Sequence, residues 1–284
     1  MQSLPLSCSG FDTGREAEAL LVAEYAGGRT ILRRQHVGYP LHVTRAFYLD
    51  RPHSDLATLY LQSASGGLYA GDRLKLDLVV ERNAALNLTT QASTVVHHGR
   101  GGESEQRQVI KVKEGAFCAV ITDPYVLFPG ACLSLKSSIE VAADGVLIMA
   151  EGLAVHDPLQ QDNRFERFSS ETLLLRPDGT RLLSEAGSIG GGTLGVRFGA
   201  LGGMAAVATV LVIAPPERCP DLALFEAAAD ANGCIAGATL APNSAGVVMR
   251  LLAPDGGALA AGIEAAFHFA AEAALGFAPA QRRK

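Results

Sequence analysis

His97-His98, His156-Asp157 and the acid Glu151 are the places in this 284-residue chain where donor atoms gather closely enough to suggest chemistry. In a strand His97 and His98 would point to opposite faces and could not share one ion. In a loop both could approach one, helped by Gly99, Gly101 and Gly102. His156-Asp157, following Glu151, offers a second donor set. Imidazole with carboxylate suits nickel, zinc or manganese. No H-x-x-x-H or H-E-x-x-H spacing fixes a preformed centre, so transient coordination is favoured over a tight one. His36, His42, His53 and His268 read as ordinary surface or boundary residues. A nucleophile elbow, G-x-S-x-G, is absent, as is the phosphate loop G-x-x-x-x-G-K-[ST]. The glycine-rich run Gly187–Gly203 contains Gly190-x-Gly192 but opens no helix inside a βαβ unit. It reads as close-packed β structure rather than a nucleotide site.

Composition narrows the field further. A net charge of −5 argues against nucleic acid as a partner. The chain has no Trp and only 6% aromatic residues, which disfavours stacking platforms for bases or sugars. Hydrophobic residues at 48% make a globular chain that can build its own core. Cys8, Cys118, Cys132, Cys219 and Cys234 are dispersed without C-x-x-C spacing, as expected of reduced thiols in a cytoplasmic protein. The start lacks the basic region of a secretion signal. The strongly apolar stretch Ala205–Ala214 is too short for a membrane helix and predicts a buried strand.

The elements that must carry these residues are mainly β. Residues 15–34 read as a strand pair turning at Gly27-Gly28. Leu74, Leu76, Leu78 and Val80 alternate with Lys75 and Asp77, and Leu86 and Leu88 alternate with Asn87 and Thr89. Period-2 spacing marks half-buried strands. Strand, short polar turn and strand recur around positions 83, 115, 145 and 179. Asn83, Gly115, Gly145 and Gly179 suit the left-handed backbone of tight hairpin turns. A spacing near 32 residues predicts stacked or helical β layers, with a β-sandwich as the alternative. The second strand of each unit ends in polar residues: Thr89-Thr90-Gln91, Thr122-Asp123, Glu151 and Glu185. Stacked in register, these would line a polar groove or internal passage. The β-rich part spans 15–215, and a mixed part with two helices spans 216–284. A short helix starts at Asp221 and stops at Gly233, a strand covers Ser244–Leu252, and an Ala-rich helix covers Gly257–Leu275. Leu259, Ile263, Phe267, Ala270, Ala271 and Ala274 form its apolar stripe. The tail Gln281-Arg282-Arg283-Lys284 is expected to fray. No linker composition divides 1–284 into two domains.

Gly66-Gly67, Gly71-Asp72-Arg73 and Thr89-Thr90-Gln91-Ala92, in that order and spacing, resemble the UreD (UreH) family of urease accessory proteins. Asp123-Pro124 followed by Phe128 and Gly130-Ala131, Glu151 after an apolar strand, and the ending VVMRLLAPDGGAL before an Ala-rich helix add to the resemblance. The resemblance implies a non-enzymatic urease maturation factor of β-rich, layered fold. Such a factor binds apo-urease, recruits a UreF-type accessory protein and, through it, a UreG-type GTPase. It assists GTP-dependent nickel insertion, with no tightly bound cofactor, no nucleic acid and no membrane. Family members have been proposed to carry nickel through an internal passage. On that reading Asp72, Asp123, Glu151 and Glu185 are the candidate weak donors for transient Ni²⁺. The rival expectation is a β-solenoid polysaccharide hydrolase that pairs Asp123 with Glu151 or Asp157 as its two carboxylates.

Overall fold

Alternation in the sequence becomes alternation in space. Leu74, Leu76, Leu78 and Val80 are buried, whereas Arg73, Lys75, Asp77 and Val79 between them are not. The computed structural model describes residues 14–50, 53, 55–195 and 201–282. Along the chain lie β1 (Glu16–Ala26), β2 (Arg29–Val37), β3 (Leu41–Val43), β4 (Leu56–Ser63), β5 (Arg73–Val80), β6 (Ala85–Thr90) and β7 (Val95–Val96). Next come β8 (Ser104–Val112), β9 (Phe117–Ile121), β10 (Tyr125–Leu127), β11 (Cys132–Val141), β12 (Val146–Val155), β13 (Arg167–Leu175), β14 (Arg181–Gly190) and β15 (Ala206–Ile213). The last part holds α1 (Leu222–Asp230), β16 (Ile235–Leu240), β17 (Gly246–Ala253) and α2 (Gly256–Leu275).

The strands form two sheets. The first runs β14-β13-β11-β8-β5-β1-β2; the second runs β16-β17-β15-β12-β9-β6-β4-β3, with β10 attached to β12 and β7 to β10. The middle of each sheet is parallel: β5 pairs with β8 and β8 with β11 in the first, and β6 with β9 and β9 with β12 in the second. Antiparallel strands finish the ends, as in β1 with β2, β13 with β14, and β15 with β17. The chain therefore coils, crossing from the first sheet to the second and back once in each turn of the coil. Leu74 lies beside Gln106 and Ala85 beside Phe117, each 32 residues on. This is the layered β architecture that the turn spacing predicted.

The turns themselves need a correction. Those at 83, 115 and 145 are not hairpins but corners, each handing the chain from the first sheet to the second. Only the turn at Gly179 joins antiparallel neighbours, with Asp178 Oδ1 accepting from the Thr180 amide at 2.8 Å. Parallel strands cannot be joined by a tight turn within one sheet, so a short link between them must cross a layer. Asn83 and Gly115 are left-handed, at φ of 60° and 66°, and they stack: a Cβ on Gly115 would lie 2.4 Å from Asn83 Oδ1. Gly145 is not left-handed. A Cβ there would stand 3.1 Å from the Lys113 carbonyl oxygen, so closeness of backbone, not dihedral freedom, favours glycine.

Apolar residues fill three regions. Leu78, Ile110, Ile139, Leu86, Val120 and Met149 lie between the sheets on one side, and Leu74, Leu133, Leu135, Leu127, Leu153 and Phe168 on the other. The second sheet is apolar on its outer face too. Phe117, Ala119 and Ile121 face α1 and α2 there, while Cys118 and Val120 face inward. The predicted stripe of α2 is buried in full. Among the described residues α2 is the one helix long and apolar enough to cross a bilayer, and its stripe is spent on covering this sheet. Asp221 caps α1 by accepting from the Leu224 amide at 3.0 Å, and α1 ends at Asp230, three residues before Gly233. The strand expected at Ser244–Leu252 is Gly246–Ala253, because Pro242–Ser244 forms a 3₁₀ turn first. Ala205–Ala214 corresponds to β15.

Two seals complete the fold. Edge strand β16 would expose its amides, but Asp230 and Glu226 of α1 accept from Ala236 N at 2.8 Å and Ala238 N at 2.6 Å. The tail, expected to fray, is instead strapped down. Phe277 stacks on His53 at 3.8 Å, and the Ala280 amide donates to Asp50 Oδ1 at 2.5 Å. The Arg282 side chain, 3% exposed, reaches Glu264, the Thr89 hydroxyl, the Ile121 carbonyl at 3.1 Å and Asp123 at 3.8 Å. A run of charged residues suggests solvent, but the buried carboxylate of Asp123 and the half-buried one of Glu264 reverse that preference. Arg283 and Lys284 lie outside the described residues.

Candidate functional site

Register assembles what the sequence scatters. In the first sheet Leu76, Gln108, Ser137, Thr172 and Glu185 lie side by side across five strands. In the second, Glu151, Thr209 and Arg250 do the same. The row continues toward β6 through Thr122, whose hydroxyl donates to the Ala150 carbonyl at 3.4 Å, and Thr90, whose Oγ1 accepts from the Asp123 amide at 2.8 Å. Strand parity turns both rows inward, because their neighbours two residues away are core residues such as Leu78, Ile110, Ile139, Met149 and Leu211. Two polar rows thus face each other between the two apolar regions.

Glu151 sits where the rows meet. Ser137 Oγ donates to Glu151 Oε1 at 2.7 Å and Gln108 Nε2 at 3.4 Å, both from the opposite sheet. Burial pushes the Glu151 carboxyl above its usual pKa; the Ser137 bond opposes this, and the charge of Glu185 adds to it. On one side lies a cavity of about 270 Å³ lined by Leu61, Thr90, Gln106, Thr122 and Tyr125. There Tyr125 donates to Gln106 Oε1 at 2.5 Å. On the other side lie a void of about 20 Å³ bounded by Glu151, Thr172, Glu185 and Thr209, and a more open cavity of about 430 Å³ that reaches Arg250. Arg250 donates to both Glu185 and Thr209, and so spans the two sheets at that end. The spaces follow the polar rows, interrupted at Glu151.

The four candidate donors therefore have different settings. Glu151 and Glu185 line the same two spaces. Asp123 borders the 270 Å³ cavity and also pairs with Arg282 of the strap. Asp72 is a clamp on the N-terminal strand: it accepts from the Arg15 amide at 2.9 Å, from the Arg15 guanidinium, and from the Tyr69 amide at 2.9 Å. Burial alone would raise the Asp72 carboxyl, but these donors outweigh it and hold it below the usual carboxylate range.

The histidines form a stack, not a ligand set. His97 lies on Tyr69 at 4.3 Å and edge-on to Phe128 at 5.7 Å, and Phe128 touches His156 at 5.4 Å. His98 Nδ1 accepts from the Arg100 amide at 2.8 Å. Among the described residues no group of three or more His, Cys, Asp or Glu side chains converges as a metal cage. His268, expected at an ordinary boundary, lies 3.1 Å from Glu264 in the strap network. Of the carboxylates proposed for a hydrolase, Asp157 accepts three loop amides, from Leu159, Gln161 and Asn163. Asp123 is held by Arg282.

The sequence reading missed Gln108, Ser137, Thr209 and Arg250. Their signal was phase: each is a polar residue at an inward position of a strand whose other inward residues are largely apolar, as in Leu135-x-Ser137-x-Ile139.

A sequence model of the UreD urease accessory protein family matches residues 15–284. The chain is 58% identical over 284 residues to urease accessory protein UreD 1 of Bradyrhizobium sp. (strain BTAi1 / ATCC BAA-1182), covering all of both chains. It is 56% identical over the same length to UreD 3 of Bradyrhizobium sp. (strain ORS 278). It is 43% identical over 272 residues to UreD 1 of Methylorubrum populi, covering 95% of this chain and 92% of that one. With the expected motifs, the layered β fold and a match along nearly its whole length, the chain belongs to the UreD family of urease accessory proteins.

Proposed function

We propose that this protein is a non-enzymatic scaffold of urease maturation in the cytoplasm. It docks on apo-urease, binds a UreF-type accessory protein and through it a UreG-type GTPase, and lets Ni²⁺ move along the paired polar rows toward the enzyme. Family membership supports the maturation role. One observation carries the route: Glu151, a half-buried carboxyl in a row of hydroxyls and amides, lines the 430 Å³ cavity, and Thr122 and Thr90 of the same row line the 270 Å³ one. Desolvating such a carboxyl is costly, and a fold that needed only stability would place an apolar residue there. Oxygen donors in sequence, none forming a full cage, hold a dication weakly enough to release it.

The test is Glu151→Gln in the full chain, co-expressed with urease and its other accessory proteins. Gln keeps the shape and an acceptor for Ser137 but removes the charge. Nickel per urease active site is expected to fall at least fivefold while the protein still co-purifies with apo-urease. Normal nickel content with Glu151→Gln would remove the route; loss of co-purification would make the residue structural instead.

A further inference from the structure

Arg250 is a guanidinium placed at the end of a row read as a cation route, and the geometry points to a purpose for it. We infer that Arg250 is a displaceable counter-ion that closes the outer end of the passage to divalent cations by occupying Glu185. The inference rests on the reading of the polar rows as a route for Ni²⁺.

Thr209 stands opposite Glu151 in the register, and Arg250 opposite Thr209, so the arginine belongs to the same inward row as the central carboxyl. Its two terminal nitrogens divide between the sheets, one to Thr209 of the second and one to Glu185 of the first. A cation entering the 430 Å³ cavity faces two carboxylates, Glu185 and Glu151, and finds that of Glu185 already held. Guanidinium and dication cannot share the same lone pairs, and they repel at that range. The lock is shallow, however. The Arg250 side chain is 55% exposed and Glu185 34%, so the pair is largely solvated and weakly held. An Arg stays charged at any physiological pH, so what opens this end is competition for the guanidinium or the carboxylate, not titration. Thr209 keeps the side chain from swinging away altogether, which lets the lock re-form after an ion has passed.

The experiment is Ni²⁺ titration of the full chain by calorimetry, comparing wild type with Arg250→Gln, Arg250→Lys, Glu185→Gln and the double variant Arg250→Gln/Glu185→Gln. Unchanged melting temperatures confirm that each is folded. Arg250→Gln is expected to tighten Ni²⁺ binding at least fivefold, and Arg250→Lys, which keeps the charge, to stay within about twofold of wild type. The gain must vanish in the double variant. Equal affinity of wild type and Arg250→Gln overturns the inference, as does a gain that survives removal of Glu185 or an absence of Ni²⁺ binding in every variant. The underlying route is judged separately, by nickel loading of urease with Glu151→Gln. A null result for Arg250 beside a loading defect for Glu151 refutes the lock and spares the route.

Discussion

Arg282→Ala is the sharpest test of how the C-terminal strap is held. The wild-type side chain is 3% exposed and faces two carboxylates, Asp123 and Glu264, besides an hydroxyl and a carbonyl. Removing one member of a buried ion pair costs about 3–5 kcal/mol, because the remaining charge stays desolvated. The pKa of Glu264 gives a second route to the magnitude. Burial raises it, but hydrogen bonds from His268 and Arg282 outweigh that and bring it from 4.5 to about 2. A full shift of that size corresponds to roughly 3 kcal/mol. With 24% of the Glu264 side chain still exposed, solvent screening reduces this to about 2 kcal/mol. The Arg282 share of that, plus the lost bonds to Thr89 and Ile121, gives an expected loss of about 3 kcal/mol at pH 7. For a chain of this length that lowers the melting temperature by roughly 5 °C.

The pH dependence has a definite sign. Because the folded pKa of Glu264 is depressed, its contribution is complete above about 4.5 and is lost as pH falls from there toward about 2. Urea unfolding at pH 7, 4.5 and 3 should show wild type losing stability across that window and Arg282→Ala losing less. Arg282→Lys should fall between them, since an ammonium keeps the charge but not the planar fork. If Arg282→Ala unfolded within 1 kcal/mol of wild type at pH 7 with the same acid slope, the strap would not be held by these charges.

Other expectations are independent of the strap. Asp72→Asn should cost about 2 kcal/mol by urea melt through the weakened Arg15 clamp, yet leave nickel delivered per folded scaffold unchanged. A fall in that ratio would move Asp72 into the route. Gly115→Ala should destabilise by about 1 kcal/mol, because φ is 66° and the new methyl would push on Asn83. The double change Glu226→Ala/Asp230→Ala should uncap the β16 edge and produce self-association at tens of micromolar concentration in sedimentation. A strictly monomeric double variant would show that the helix carboxylates do not guard that edge.

The layering was readable because a 32-residue rhythm of strands and polar turns has few other structural meanings, and the stripe Leu259–Ala274 announced α2 by its spacing alone. The corners were misread as hairpins because a two- or three-residue turn rich in Asn and Gly looks the same whether the chain doubles back in one sheet or steps to another. That choice is made by the parallel neighbours 30 residues away. Glu151 and Glu185 were visible as carboxylates, but their meeting depends on Ser137, Thr172 and Thr209 being brought alongside, which is a fact of register. The strap escaped notice for the opposite reason. Arg282 looks like a solvated terminal charge until Glu264 and Asp123, far apart in sequence, are found side by side beneath it.

The coil has a consequence for how the polypeptide is made. Each inner strand bonds to one about thirty residues earlier, so a layer can settle as soon as the next loop of chain has left the ribosome, without waiting for distant partners. The outer face of the second sheet follows a different timetable: Phe117, Ile121, Ile148 and Val210 stay bare until α2, which follows all of these strands in the chain, arrives to cover them. During that interval the nascent chain presents a greasy surface, and a chaperone or early-binding partner acting before release would raise the yield of native protein more than any aid given afterwards.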